Sequence, residues 1–456
     1  MSNLDNELKK YYANAKESIK NGNYEKALEY YLTIIKYEPN NGVILNEIGI
    51  CYFSLSRHKE AIDYFYKVLK IKPLSDVFNN IGVCFVNSKQ YKLAEAHYLK
   101  SYNLDNNDKS KSALGNLYYY TKQYEKSIAF YEKVNNKMPV DFYNMSSPYL
   151  SKKDFKKGFE FYENRLKSNN VNAQTGLKER VDIPQIPYWN GIDKCNRLLV
   201  VYEQGIGDNI QYFRFIIELS KRNPDLKIDY FCKYIIAHIF NSYENIEIVN
   251  TVTILNYDYM IYIMSLPKIL HLSEIKPNTE EYIKIKDDKL LLLKNKLQDL
   301  KKFKVGFVYS GLLSSFIEKY VPLNEFEKLC ELDIDLICIQ KNQENNSDLI
   351  SIKQKSNFHL FDIDEEVPFE DTIHILKNID LLITVDTYIV HLAGVLNIET
   401  RLLLGYSEWR WSNEETTYWY NSVKLIRTDN EHKELKDLIH VVKEELQKKL
   451  QNEQNE

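Results

Sequence analysis

A small residue followed four positions later by an aromatic recurs along the first third of the chain, at Ala27/Tyr31, Ala61/Phe65, Ala94/Tyr98 and Ser127/Tyr131. The small residues are spaced at 34, 33 and 33. Twelve positions before each stands another small residue: Ala15, Gly49, Gly82 and Gly115. A period of this length marks stacked helical hairpins, each unable to bury its apolar face alone. The two small residues let paired helices approach closely. The aromatic is expected to fill the groove to the next pair, and Pro39, Pro73 and Pro139 to close hairpins, because proline cannot continue the hydrogen-bond ladder.

Over roughly residues 8–141 this pattern resembles the tetratricopeptide repeat (TPR). A degenerate fifth unit is expected from Asp154 through Tyr162, placing an α-helical TPR solenoid at 1–168. Such arrays carry a concave face suited to a peptide or partner protein.

The remaining chain is too long for the same core. At 456 residues, two or three domains are expected. A net charge of −4 gives no general pull towards nucleic acid. The six cysteines are scattered without a C-x-x-C pair, which reads as reduced thiols and makes a zinc site improbable. The N-terminus is polar, unlike a signal peptide, and the apolar stretches near 197–202 and 259–270 are too short or too interrupted to span a bilayer. A cytoplasmic protein with no transmembrane segment is expected.

Beyond a polar, Pro-punctuated linker at 169–196, short β-rich runs alternate with helical stretches. Strands are expected at 197–202, 227–232, 246–250, 258–263, 303–309, 334–339, 380–385 and 401–404. Helices are expected at 209–222, 233–242, 289–300, 323–331, 369–378, 388–396 and 432–450. This alternation argues for parallel, doubly wound sheets. The polar break at Lys286-Asp287-Asp288 separates a lobe at 197–287 from one at 288–430, followed by a C-terminal helix and tail at 431–456. Two facing lobes would form a cleft at the C-terminal ends of their strands.

Three segments at such strand ends could carry chemistry. In Glu203-Gln204-Gly205-Ile206-Gly207-Asp208, the glycines permit a tight turn and the following helix start favours an anion; Asp208 could equally be a helix N-cap. Tyr309-Ser310-Gly311 ends a strand, and Lys319 follows, offering a hydroxyl and a cation to phosphate or merely a turn and a solvated lysine. In Asp386-Thr387-Tyr388 through His391, cap oxygens and free helix N–H groups could receive a diphosphate, while His391 could equally be a packed core residue.

Together these segments make residues 188–427 resemble the glycosyltransferase domain of the ADP-heptose lipopolysaccharide heptosyltransferases (glycosyltransferase family 9, GT-B fold). The resemblance runs through Glu203–Asp208 with Gln211 and Phe213-Arg214, then Gly306–Gly311, Val321-Pro322-Leu323 and Asp380–Gly394. It continues through Tyr406–Trp411 and Trp419-Tyr420. It implies an inverting, metal-independent transferase with two Rossmann-like lobes, no cofactor, and a nucleotide-diphosphate sugar as donor. By the same resemblance Asp208 is the general base, and Ser310 and Lys319 face the donor phosphates. Asp386, Thr387 and Tyr388 hold the sugar and diphosphate, with the Gly205–Gly207 turn beside them and His391 supporting the loop. The acceptor would be a protein or glycan on the concave TPR face. In the heptosyltransferases a glycine follows the Asp-Thr pair, where this chain has Tyr388, which would narrow the donor site. The rival reading is a non-catalytic TPR interaction scaffold with a degenerate GT-B domain.

Overall fold

The computed structural model describes residues 3–168, 185–241, 243–252, 256–284, 297–311, 319–340, 349–361, 368–405, 408–412, 414–429 and 434–453. The polar break at 286–288 and most of the helix expected at 289–300 and of the 169–196 linker lie outside these residues. The chain divides into two compact units, Met1–Lys152 and Lys153–Glu456.

The first unit is a run of antiparallel helix pairs: α1 (Asn3–Lys20) with α2 (Tyr24–Tyr37), α3 (Gly42–Ser54) with α4 (His58–Ile71), α5 (Ser75–Asn87) with α6 (Tyr91–Asp105), and α7 (Asp108–Tyr120) with α8 (Tyr124–Glu132). A single helix, α9 (Pro139–Ser151), follows. Ala27, Ala61, Ala94 and Ser127 are wholly buried, as the spacing requires. The aromatics reach towards the next pair, Tyr131 hydrogen-bonding Asn144 of α9, and they pack within their own pair as well. A Cβ placed on Gly49 would meet the Phe65 ring at 2.5 Å, and one on Gly115 the Tyr131 ring at 2.7 Å, so in these hairpins the aromatic lies on the glycine of its own pair. Ser127 stands in for alanine because its hydroxyl donates to the Gly115 carbonyl at 2.7 Å. Gly22, Ser56, Lys89 and Lys122 all take positive φ at the turn between paired helices. Pro139 starts α9 at its first turn instead of closing α8, since its missing N–H costs nothing there.

The second unit opens with α10 (Phe155–Tyr162) and a 3₁₀ turn, Glu163–Lys167. Two parallel sheets follow. The first has the order β3 (Ile246–Val249), β2 (Lys227–Phe231), β1 (Arg197–Val201), β4 (Tyr259–Tyr262). The second runs β10 (Val423–Arg427), β9 (Thr400–Leu404), β8 (Leu381–Val385), β5 (Phe303–Val308), β6 (Ile334–Cys338), β7 (Phe358–Leu360). Both orders reverse direction beside their first strand, between β1 and β4 and between β5 and β8, the switch points at whose C-terminal ends open α/β sheets bind ligands. Strands β6 and β8 are buried throughout, as a sheet covered on both faces demands.

The second unit has four longer helices: α11 (Ile206–Arg222), α12 (Pro368–Leu376), α13 (Tyr388–Val395) and α14 (Leu438–Glu453). The helix expected at 233–242 shrinks to Tyr234–Ala237, because the chain turns extended at Phe240 to bridge Ile283. Strands β7 and β10 are additions; β10 is an edge strand whose Lys424 and Arg427 interrupt the apolar pattern. The end of the linker is paired rather than free, since Met260 N–H donates to the Pro187 carbonyl and Trp189 N–H to the Met260 carbonyl, each at 2.8 Å. Among the described residues no helix is long and apolar enough to cross a membrane.

Candidate active site

Parallel strands deliver their C-terminal loops to one edge, and four such loops carry the candidate residues. After β1 the chain turns through Gln204 at φ 62° into α11, with Gly205 as N-cap. Asp208 is the third helical residue, not the cap itself. Its Oδ2 accepts the Gly205 N–H at 2.9 Å, which leaves Oδ1 to face Arg410 Nη1 at 2.7 Å.

After β5, the Ser310 N–H donates to Gln340 Oε1 at 3.1 Å, and the returning strand brings Lys319 alongside, its carbonyl accepting the Gly311 N–H at 2.8 Å. Lys319 Nζ lies 3.0 Å from Asp386 Oδ2, so these two candidates, 67 positions apart, form an ion pair instead of a solvated lysine. Gly311 allows the approach: a Cβ there would meet Thr387 at 3.0 Å.

After β8, Thr387 caps α13, its Oγ1 accepting the Ile389 N–H at 3.3 Å. Tyr388 packs on Phe369 of α12, ring centroids 5.1 Å apart, and hydrogen-bonds Thr372. Its ring is thus committed to α12, and burial raises its phenol pKa above the ordinary value. His391 is buried, stacked on Trp411 at 5.3 Å, with Nδ1 3.1 Å from the Tyr420 hydroxyl. Burial lowers its pKa to about 4 against the opposing pull of Asp386 and Asp208, so the imidazole is neutral at neutral pH.

Gly207 brings the two lobes into contact. A Cβ on it would meet His391 Cδ2 at 2.7 Å and the Tyr388 Cα at 3.3 Å. Only glycine lets α11 of the first lobe rest against the start of α13 in the second.

The loop after β9 contributes two charged groups that sequence reasoning assigned no role. Arg410 reaches across to Asp208 and donates to Gln204 Oε1 at 3.2 Å. Burial opposes its charge, but Asp208 and Glu408 outweigh it and hold the guanidinium protonated. Glu408 is partly buried; desolvation raises its carboxyl pKa, with Arg410 and Lys319 opposing and Asp386 and Asp208 reinforcing. Three carboxylates therefore share two cations, and the surplus negative charge adds to desolvation in holding the Glu408 carboxyl above its ordinary range. The signal for both was the Tyr406–Trp411 segment, already part of the heptosyltransferase resemblance.

Beneath this cluster lies a buried clamp. Arg165, wholly buried, donates Nε to Glu203 Oε1 at 2.6 Å and Nη2 to Glu203 Oε2 at 2.8 Å, and Nη2 also reaches Ser265 Oγ at 2.7 Å. Glu203 immediately precedes Gln204, so the 3₁₀ turn at 163–167 fixes the loop that presents Asp208. A cavity of about 580 Å³ lies elsewhere, on the face of α11 carrying Arg214, Glu218 and Arg222, and none of the candidate residues lines it.

Comparison with known proteins bears on the first unit. Tetratricopeptide repeat family models match residues 12–76, 75–108 and 109–135. No curated protein matches the chain. Among solved structures, MamA (41-end) from Desulfovibrio magneticus RS-1 is similar at 23% identity and TM-score 0.32, over 38% of this chain and 97% of that one. The Pseudomonas aeruginosa pilF structure is similar at 17% identity and TM-score 0.33, over 36% and 78%. YrrB, described as a TPR protein with an unusual peptide-binding site, is similar at 20% identity and TM-score 0.29, over 37% and 90%. Residues 12–135 of this chain are thus a run of tetratricopeptide repeats, the class of surface that engages protein partners.

Proposed function

We propose that the second unit is a metal-independent glycosyltransferase of GT-B type, acting on a nucleotide-diphosphate sugar, with a protein or glycan acceptor held by the repeats. The reading is carried by the convergence of Asp208, Lys319, Asp386, Glu408 and Arg410 at the C-terminal ends of parallel strands from two lobes. Asp208 takes the acceptor hydroxyl proton once Arg410 is drawn from it to the donor phosphates. Lys319, Arg410 and the N-terminus of α13 stabilise the charge that grows on the departing diphosphate. Neutral His391 supports the α13 start without adding charge.

The Asp208–Arg410 ion pair also favours a second reading, a binding scaffold whose base is permanently occupied. Titration with UDP-, GDP- and ADP-sugars by calorimetry, followed by product analysis, separates the two. Turnover that falls about 10²–10⁴-fold in Asp208→Ala supports the transferase. Binding without turnover supports the scaffold, and no binding by any nucleotide sugar overturns both.

A further inference from the structure

Gln211 sits on α11 one turn beyond Gly207 and Asp208, and is wholly buried. Residues three and four apart share a helix face, so its side chain leaves α11 on the face that Gly207 presses against His391 and Tyr388. Neither amide atom, Oε1 nor Nε2, has a hydrogen-bond partner among the described residues. A primary amide has two donors and two acceptor lone pairs, and burying all of them unpaired is a stability cost that native interiors seldom carry.

The deficit is not confined to Gln211. The buried Tyr212 hydroxyl, Arg410 Nε and Trp419 Nε1 are likewise unpartnered. All four belong to α11 or to the 409–420 segment of the opposite lobe, and Tyr212 and Trp419 are in ring contact at 5.8 Å. A permanent interface between lobes would be expected to replace such groups by apolar ones of equal volume. Asn209, two positions before Gln211, is by contrast fully engaged: it donates to the Glu203 and Gly205 carbonyls and accepts from Tyr230.

We infer that Gln211 is a specificity-determining residue whose amide reads the hydroxyl groups of a polyhydroxylated ligand at the α11–α13 contact. An amide presents a donor beside an acceptor, the complement of adjacent hydroxyls on a sugar ring, whereas a diphosphate offers acceptors only. Arg410 Nε and the Tyr212 hydroxyl, on residues that interact electrostatically with each other, are further unpaired donors. The inference rests on the transferase-or-binding reading above for the identity of the ligand as a nucleotide sugar. It is independent of that reading in assigning Gln211 to a ligand and not to the fold.

The two roles predict opposite outcomes for Gln211→Leu in the full-length protein. A residue kept for a ligand should leave the free protein as stable or more so when its unpaired amide is removed, raising the thermal midpoint by about 2–4 °C. A structural amide should lower it. In parallel, calorimetry compares UDP with UDP-glucose, GDP with GDP-mannose and ADP with ADP-glucose. Whichever pair binds, the leucine variant should keep its nucleoside-diphosphate affinity within about twofold and lose about 10-fold or more of the preference for the sugar-bearing form. Gln211→Glu, which keeps an acceptor, should lose less. A lowered midpoint, or an unchanged sugar preference in Gln211→Leu, overturns the inference. If the unsubstituted protein binds none of the six nucleotides, the nucleotide-sugar reading fails, and the direction of the midpoint shift alone decides for or against Gln211.

Discussion

A single buried imidazole couples the candidate site to pH. His391 has its pKa lowered from 6.5 to about 4, so between these values the unfolded chain binds a proton that the folded one refuses. Stability from this group is complete above about pH 6.5 and is lost as pH falls towards 4, a difference of about 3 kcal/mol. Urea unfolding at pH 7.5 and 4.5 should show the loss, and His391→Gln should flatten that part of the profile; an unchanged slope would assign it to other groups. At this scale the sequence was informative only where partners are neighbours. Asp208 accepting the Gly205 N–H follows from a three-residue spacing. Its pairing with Arg410, and the pairing of Lys319 with Asp386, join residues brought close by strands far apart in the chain. Tyr388 illustrates the converse: its bulk was legible, but the Phe369 and Thr372 contacts that hold its ring against α12 were not.

The elements of the first unit depend on glycines that act through what they leave out. Replacing Gly49 by alanine improves intrinsic helix propensity by about 1 kcal/mol. The same methyl would sit 2.5 Å from the buried Phe65 ring, a clash in a packed interior that costs about 1–3 kcal/mol or more. Gly49→Ala should therefore destabilise the repeats despite its better propensity, and thermal unfolding followed by far-UV circular dichroism checks it. Restoration of the midpoint in Gly49→Ala/Phe65→Leu would identify the ring as the cause. The period of 33–34 residues made these helices and their buried small faces readable. That Phe65 and Tyr131 also cover the glycine of their own hairpin was not legible, because periodicity places a ring on a helix face without naming every neighbour opposite it. The sheets were legible as short apolar runs, yet their order, and so the switch points, is a property of pairing between strands that are not consecutive.

The molecule as a whole divides at Lys152, not at the residue-168 boundary that repeat counting suggests. The segment expected to be a degenerate fifth unit, Asp154 through Tyr162, lies in the second unit as α10 with the 163–167 turn, whereas α9 belongs to the first. Arg165 is the physical reason, because it supplies the charge that Glu203 needs in an environment with no exposure for either. A fragment beginning at Lys153 should fold with a cooperative transition and a near-UV spectrum of packed tryptophans. One beginning at Asn169 leaves Glu203 buried without its partner, a loss of about 3–5 kcal/mol, and should be aggregation-prone or molten. In the full chain, Arg165→Met should lower stability by a comparable amount in urea titration, and much of it should return in Arg165→Met/Glu203→Met.

By itself the sequence determined the repeats, their register and the α/β alternation that follows, since all three are read from local spacing that a helix or strand converts directly into a buried face. The four-residue step from Ala61 to Phe65 and its copies is such a signal, and the family matches over 12–135 agree with it. Only the tertiary structure decided where that helical region ends and what surrounds Asp208. Both depend on charges from distant loops, Arg165 on Glu203 and Arg410 on Asp208, whose meeting is a consequence of strand order and burial rather than of any spacing along the chain.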